Sequence, residues 1–113
     1  MPTLNNSSQG MAETPRVYIV NKSCHNYSDA KRFGKLVFMT EGTINRYAVS
    51  IVYREFITYM KDSDPEDFIL VTGMSTMLAV ACGIFSAQHG RLNLLLFKKG
   101  RYLERTLMFN EGE

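Results

Sequence analysis

The sequence predicts an α/β domain: a small Rossmann-like fold whose mostly parallel sheet of about four strands carries helices and ends in a C-terminal antiparallel hairpin. Three observations lead to this prediction. The chain has 113 residues, the size of one domain. Its composition, 45% hydrophobic and 21% charged, is that of a folded globular chain. Short apolar or β-branched runs alternate with segments of helical periodicity, which is typical of parallel strands joined by helical crossovers.

Both ends of the chain are expected to lie outside the folded domain. Residues 1–15 are rich in Asn, Ser, Gly, Thr and Pro, so we expect a flexible N-terminal tail. The single α/β domain then spans residues 16–109, and residues 110–113 form a frayed acidic tail. The N-terminus lacks the basic and apolar regions of a signal peptide, which favours a cytoplasmic protein.

The first two predicted strands enclose a short helix. Residues 16–20 are rich in β-branched and aromatic side chains and predict the first strand, and residues 35–40 predict the second. Between them, Ser28 is a suitable N-cap for a short helix over residues 28–33, which Gly34 ends.

The clearest helix is predicted over residues 43–60, with Thr43 as its cap. Apolar side chains recur there at three- and four-residue spacing, which places them on one helical face that packs on the sheet. The helix ends before Pro65, because proline disfavours helical geometry in the residue that precedes it. The predicted buried face consists of Ile44, Tyr47, Ala48, Ile51, Val52, Phe56, Tyr59 and Met60.

The second half of the domain begins with a buried strand over residues 68–71, a continuous apolar run. A second helix over residues 77–89 follows, capped by Ser75 or Thr76 and ended by Gly90. Because this helix is apolar on nearly every side, we expect it to be buried between layers or at a subunit interface. The final strands are residues 91–97 and 102–109, joined by a turn at 98–101.

A ligand site is predicted at one edge of the sheet. Open parallel sheets bind ligands beyond the carboxyl ends of their strands. Small, polar or cationic residues follow the predicted parallel strands at that edge. The predicted ligand-binding residues are Lys22, Ser23, Thr40, Glu41, Thr72, Gly73, Ser75, Thr76 and Lys98.

The segment from Gly73 to Thr76 is the most suggestive, since a strand passes through a glycine turn into a helix start. Free backbone N–H groups at such a start attract anions, and Gly73 lets a ligand approach the backbone. A phosphate is expected there, with Lys22 or Lys98 nearby. The segment matches neither the GxGxxG fingerprint nor a Walker A loop, so an ordinary turn and cap is the alternative. Glu41 could bind a ribose hydroxyl or act as a base.

Other reactive groups carry weaker arguments. Cys24 and His25 suggest a nucleophile and a base, but adjacent residues of an extended chain point to opposite sides. Cys82 lies in apolar helical sequence, and the cysteines and histidines lack the spacing of a zinc site. We therefore expect neither a metal nor a cofactor, and the sequence names no catalytic residue.

The charge distribution limits the partners. The net charge of +2 is too small to indicate nucleic-acid binding, and no apolar run is long enough to span a membrane. Basic residues nevertheless crowd the C-terminal hairpin, where they either attract a phosphate or an acidic partner or keep the hairpin solvated. These residues are Arg91, Lys98, Lys99, Arg101 and Arg105.

Four segments within residues 16–107 carry a resemblance to a known family: VYIVNKSCHNYSDAKRFG, LVFMTEG, LVTGMSTM and HGRLNLLLFKKGRYLERTL. They resemble a family of small uncharacterised tailed-phage proteins. The resemblance implies a phage-encoded accessory protein made in the bacterial host cytoplasm. It implies no activity and no site residue.

Three classes of function stay open. The leading expectation is a domain that binds a nucleotide or another phosphate-bearing small molecule at the strand ends. The alternative is a non-enzymatic phage protein that binds or inhibits a host protein through its basic hairpin or its apolar second helix. A third is a nucleotide-processing enzyme in which Glu41, Lys22 or His25 assists. A homodimer is expected, because a small domain has few layers in which to bury an apolar helix.

Overall fold

The fold is a mixed sheet with its crossovers on both faces. The computed structural model describes residues 14–45 and 47–109. The predicted acidic tail and the predicted flexible tail, apart from Thr14 and Pro15, lie outside the described residues. The five strands are β1 (Arg16–Ile19), β2 (Lys35–Phe38), β3 (Phe68–Leu70), β4 (Arg91–Lys98) and β5 (Arg101–Met108).

The strands lie in the order β2-β1-β3-β4-β5. β1 is parallel to β2 and to β3, and β3 is parallel to β4. β5 returns antiparallel to β4 through a two-residue turn in which Lys99 and Gly100 both have positive φ. This geometry matches the twist of the paired strands and favours glycine at the second position. The predicted α/β class, with a mostly parallel sheet and a C-terminal hairpin, is confirmed.

A short 3₁₀ helix (Ser28–Arg32) joins β1 to β2. Tyr27 occupies its N-cap position and makes no side-chain cap, so the predicted cap at Ser28 is wrong. Gly34 follows the helix, and a side chain at this position would overlap the carbonyl group of Pro15. Glycine is therefore required there by the close approach of two backbones.

The helix α1 (Val49–Met60) begins later than the predicted start at Thr43. The Asn45 side chain accepts a hydrogen bond from the Tyr47 N–H at 3.0 Å, and this local turn competes with helical hydrogen bonding. Ala48 takes the N-cap position without a side-chain cap. Of the predicted buried face, the helix buries Val52, Phe56 and Met60, whereas Tyr47, Ile51 and Tyr59 are exposed.

The helix α2 (Ser75–His89) begins earlier than predicted, with Met74 as its N-cap. Neither Ser75 nor Thr76 caps it, which corrects that prediction. It ends as predicted at Gly90, whose φ of 66° is left-handed. The layers of the single domain do not bury this helix on all sides, because one stripe of it is exposed: Ala79, Gly83 and Ala87. Burial of that stripe at a subunit interface stays a prediction. Within the described ranges no helix is long and apolar enough to cross a membrane.

The two faces of the sheet are covered unequally. α1 and α2 contact each other over one face, where Tyr18, Phe56 and Phe85 are fully buried. The other face packs against the 3₁₀ helix through Ala30 and against the rings of Tyr27 and Tyr102. A five-residue 3₁₀ helix covers less of a sheet than two α-helices do. The strand ends on this thinly covered face therefore have room beside them for a ligand.

A buried polar cluster joins the strands near their amino ends, opposite the carboxyl ends at which the ligand site is predicted. Asn93, in β4, is 1% exposed, and its Nδ2 donates to the carbonyls of Pro65 and Asp67, each at 2.7 Å. The Asp67 carboxylate is 2% exposed and accepts the N–H groups of Arg16 and Asp64, each at 2.9 Å. These contacts give hydrogen-bond partners to the polar side chains that are buried in the core.

Candidate functional site

A pocket lies at the carboxyl ends of β1 and β3. The chain leaves β1 toward β2 on one side and returns to β3 on the other, so the order of strands reverses between β1 and β3. Open α/β sheets bind ligands at such a switch point. The pocket has a volume of about 270 Å³, and its lining is Asn21, Ser23, His25, Tyr27, Leu70, Val71, Thr72, Gly73, Met74, Phe97 and Tyr102.

Aromatic rings form one wall of this pocket. The His25 ring meets Tyr27 and Phe97 edge to face, with centroids 5.0 Å and 5.2 Å apart. Phe97 and Tyr102 face each other across the β4–β5 hairpin, with centroids 5.0 Å apart. Edge-to-face contacts of this kind hold rings in fixed orientations. The wall is therefore a preformed apolar surface against which a planar group can lie.

Tyr102 connects this wall to the rest of the fold. Its hydroxyl lies 3.0 Å from His25 Nε2. Burial raises the pKa of the Tyr102 hydroxyl above its ordinary value of 10.0, so this hydroxyl keeps its proton at neutral pH. Which of the two groups donates in this hydrogen bond depends on the His25 tautomer. Its backbone N–H donates to Asp29 Oδ2 at 2.7 Å, and its carbonyl accepts the Arg32 guanidinium. The 3₁₀ helix thus fixes the position of the ring in the pocket.

Neutral polar groups also line the pocket. Asn21, 9% exposed, donates through Nδ2 to the Gly42 carbonyl at 3.1 Å and to Met74 Sδ at 3.4 Å. Thr72 Oγ1 accepts the Met74 N–H at 3.3 Å, and Ser23 Oγ lies 2.8 Å from the Tyr27 hydroxyl. None of the lining residues is an aspartate, glutamate, lysine or arginine. The pocket therefore presents hydrogen-bonding groups without a fixed carboxylate or cation.

Three of the predicted ligand-binding residues meet in this pocket: Ser23, Thr72 and Gly73. Gly73 is exposed, and a Cβ built on it would meet nothing within 4 Å. A side chain at this position would therefore enter open space beside the pocket without disturbing the described fold.

Three other predicted residues lie on the β2 side of the sheet. Lys22 and Glu41 form an isolated parallel bridge, and the Lys22 ammonium lies 5.4 Å from the centre of the Phe38 ring. Thr40 donates through Oγ1 to the Val20 carbonyl at 2.6 Å, which makes it a structural tie between neighbouring strand ends. Glu41 lines a different depression, together with Thr40, Met39, Ile44, Glu55, Thr58 and Tyr59.

The last three predicted residues also lie outside the lining. Ser75 and Thr76 are the first two residues of α2, where backbone N–H groups lack helical partners. Lys98 is the last residue of β4 and pairs with Arg101 beside the hairpin turn. The basic hairpin is partly neutralised there, because Arg101 Nε lies 4.0 Å from Asp29 Oδ1.

Several lining residues were not among the predicted site residues. Asn21 lies just beyond β1, so it could have been found from the rule that parallel sheets bind ligands beyond the carboxyl ends of their strands. Phe97 and Tyr102 could have been found from their symmetric spacing about the two-residue turn, which makes them a facing pair. His25 and Tyr27 lie in a loop whose path depends on the tertiary fold, and no spacing rule places them in the pocket. The sequence predicts His25 only as a candidate base and as a residue that could assist nucleotide processing.

Cys24 and His25 do not act together in this arrangement. His25 lines the pocket, whereas Cys24 is an exposed free thiol outside the lining. Among the described residues, no group of three or more His, Cys, Asp and Glu side chains could hold a metal ion.

A second concave surface lies on the other face of the molecule, between α1 and α2. We call it the helix groove; its volume is about 460 Å³, and it is the larger of these two cavities. The exposed stripe of α2 forms one wall, and Tyr53, 48% exposed, belongs to the other. The full lining is Val49, Ser50, Tyr53, Ile57, Ala79, Val80, Gly83, Ile84, Ala87 and Gln88.

The fold and the pocket together define a class: a small doubly wound α/β domain with an aromatic-lined pocket at its switch point. Within this class the chain belongs to the family described as Phage Pam3 gp32-like protein, whose model matches residues 15–108. The resemblance to small phage proteins is confirmed by this match. No curated protein and no solved structure matches the chain.

Proposed function

We propose that this protein binds a small molecule in the switch-point pocket, and that the ligand is a nucleotide or another compound with a planar ring and a phosphate. The observation that carries the proposal is the meeting of His25, Tyr27, Phe97 and Tyr102 beside Gly73. Ligand sites in proteins are typically concave and largely apolar, with few polar groups that fix orientation. This description fits the lining.

The planar ring is proposed to occupy the pocket itself. The volume of about 270 Å³ is below the range of about 300–1,000 Å³ that is typical for drug-sized ligands. It suits one ring system better than a whole nucleotide. The Ser23 and Tyr102 hydroxyls and the Asn21 amide supply both donors and acceptors, which suits the polar edge of a base.

The phosphate is proposed to lie outside the pocket, at the turn from Gly73 to Thr76. The first N–H groups of α2 are oriented there, and the positive end of the helix dipole favours an anion. Lys22 lies beyond the carboxyl end of β1, Lys98 is the last residue of β4, and both are exposed. They supply positive charge at the same edge of the sheet without entering the pocket.

Calorimetric titration with a panel of nucleosides and nucleotides tests this proposal. We expect one member to bind, with a nucleotide tighter than its nucleoside. Gly73→Val adds a branched side chain to a residue that lines the pocket, beside the proposed phosphate position, and is expected to abolish binding. Gly83→Val is the matched control, because a Cβ there also meets nothing within 4 Å but lies in the helix groove. Absence of binding by every compound, or equal binding by Gly73→Val, would refute the proposal.

A second candidate function is favoured by the helix groove. Exposed apolar residues line it on both helices, and contiguous apolar surface of this kind is typical of protein interaction sites. We propose it as the surface for a host protein. In an affinity capture from host lysate, Gly83→Arg should lose a partner that Gly73→Val retains. Equal capture by both variants would exclude the groove as the binding surface.

The family supports a proposal for the setting, in which the protein acts in the cytoplasm of the infected bacterium. We further propose that it is a homodimer. Glu41 and His25 line different cavities, so the residues suggested for nucleotide processing do not converge, and we propose binding rather than catalysis.

A further inference from the structure

The strand β5 forms one edge of the sheet, and its backbone groups alternate between two directions. A two-residue turn joins it to β4, so the facing pair Lys98 and Arg101 exchanges hydrogen bonds, and every second pair after it does too. The bond from the Phe109 N–H to the Gly90 carbonyl, at 2.9 Å, continues this pattern. The backbone groups of the intervening residues therefore point away from β4. These residues are Tyr102, Glu104, Thr106 and Met108.

The half of this edge near the turn is already covered. Asp29 accepts the Tyr102 N–H, and Arg32 donates to the Tyr102 carbonyl, so the 3₁₀ helix closes the edge there. The other half is open: in the described part of the chain, the one hydrogen bond that reaches an outward backbone group is from Arg105 Nη1 to the Glu104 carbonyl, at 2.7 Å. An exposed arginine side chain can leave this position readily.

We propose that the open half of β5 pairs antiparallel with β5 of a second copy, with the two-fold axis beside Thr106. In this register Thr106 faces Thr106 of the second copy, and Glu104 faces Met108 of the second copy. About six backbone hydrogen bonds then form between the chains, and the two sheets become one continuous sheet. The register uses every open outward residue of the strand and leaves the 3₁₀ helix in place at Tyr102.

Charge disfavours the registers that lie closer to the turn. An axis beside Glu104 would place two glutamates face to face, and an axis beside Arg105 would do the same with two arginines. Facing like charges destabilise a strand pair. With the axis beside Thr106, Arg105 faces Leu107 of the second copy and no like charges meet.

Apolar side chains also favour a second copy as the occupant. Leu107 and Met108 are 52% and 51% exposed, and Phe109 is 42% exposed. Leu103 shares a sheet face with Phe109, and in the proposed register each faces the other across the interface. A monomer normally protects such an edge with proline, a bulge or charged side chains, especially lysine. The segment from Glu104 to Met108 has no proline, bulge or lysine, and its two charged residues, Glu104 and Arg105, face Met108 and Leu107 in the proposed register.

Light scattering and sedimentation of the full chain over a range of concentrations test the proposal. Wild type is expected to be a dimer. Thr106→Pro removes an outward N–H without removing a bond to β4, so it should abolish the dimer. Thr106→Ala is the matched control: it removes the hydrogen bond from Oγ1 to Asn93 Oδ1 but keeps the N–H, and it should stay dimeric. Thr106→Lys places like charges at the axis and should also be monomeric, which keeps the test decisive if the proline variant does not fold.

Three outcomes would overturn the proposal. The first is a wild-type monomer at every concentration. The second is a dimer that survives both Thr106→Pro and Thr106→Lys. The third is a dimer that is lost in Gly83→Arg but kept in Thr106→Lys, which would place the interface at the helix groove instead.

Discussion

Replacing Asn93 by leucine measures what one buried amide contributes to the stability of the sheet. The two side chains share the same branching at Cγ, so the change removes the hydrogen bonds and keeps nearly the same outline, with leucine the bulkier of the two. The Asn93 Nδ2 donates to the carbonyls of Asp67 and Pro65, and Oδ1 accepts from Thr106 and from Arg91, each at 3.0 Å.

The expected loss of stability depends on which hydrogen-bond partners of Asn93 can bind water instead. Thr106 is exposed and the Arg91 guanidinium is partly exposed, so both can be hydrated. The Asp67 carbonyl bond is buried, and an unsatisfied buried acceptor costs about 1–3 kcal/mol. Pro65 is an exposed residue, so the loss of the hydrogen bond to its carbonyl costs less free energy. We expect Asn93→Leu to lower the free energy of unfolding by about 2 kcal/mol, which corresponds to a fall in Tm of about 10 °C for a domain of this size.

Urea denaturation at a fixed protein concentration is the measurement, with thermal unfolding beside it. Thr106→Ala removes one hydrogen bond to the same amide at an exposed position and should cost less than about 1 kcal/mol. A leucine variant as stable as wild type, with an unchanged dependence on urea, would show that the network around Asn93 adds no net stability. That result would refute the reasoning given for it.

Three further substitutions have expected directions. The backbone N–H of Tyr102, followed by Arg32, holds the pKa of Asp29 below its ordinary value of 3.8; this stabilisation is present at neutral pH and is lost as the pH falls through the folded pKa. The Tm difference between wild type and Asp29→Asn should therefore shrink on acidification below 3.8, and a difference independent of pH would contradict this. Gly34→Ala should destabilise the domain by about 1–3 kcal/mol, because its Cβ overlaps the Pro15 carbonyl. Gly83→Ala, in an open helical position, should stabilise it by up to about 1 kcal/mol, and equal Tm values for these two variants would show that the close approach at Gly34 relaxes freely.

The architecture could be predicted from the sequence because its strands and helices differ in periodicity. The run Phe68–Leu70 is apolar throughout, and Gly90 marks the end of α2 where the structure has it. The helix starts could not be predicted, because caps depend on the path of the chain into the helix. Ser75 has the side chain of a cap, yet the loop delivers Met74 to that position. Asn45 favours its own local turn, which delays α1.

The pocket could be predicted only in part for a different reason. Thr72 and Gly73 follow a strand directly, so the topology alone places them at the ligand edge. Lys22 follows a strand as well, but its side chain lies over Phe38. Side-chain direction in a loop depends on packing, which no spacing rule describes. The aromatic wall depends on the antiparallel return of β5, which brings Tyr102 to a site otherwise formed by the parallel strands.

Tyr102 belongs to two parts of the molecule at once. Its backbone is held by Asp29 and Arg32, and its ring and hydroxyl belong to the pocket beside His25. A ligand that contacts the ring can bind fully only while the turn-proximal half of the hairpin is closed, so the bound molecule opposes the opening of those strands. The two equilibria are thermodynamically linked. A change that stabilises the closed hairpin therefore raises the ligand affinity by the same factor by which the bound ligand shifts the hairpin toward its closed state. Binding of the proposed ligand should therefore slow the exchange with solvent of the amide protons in this half of β5.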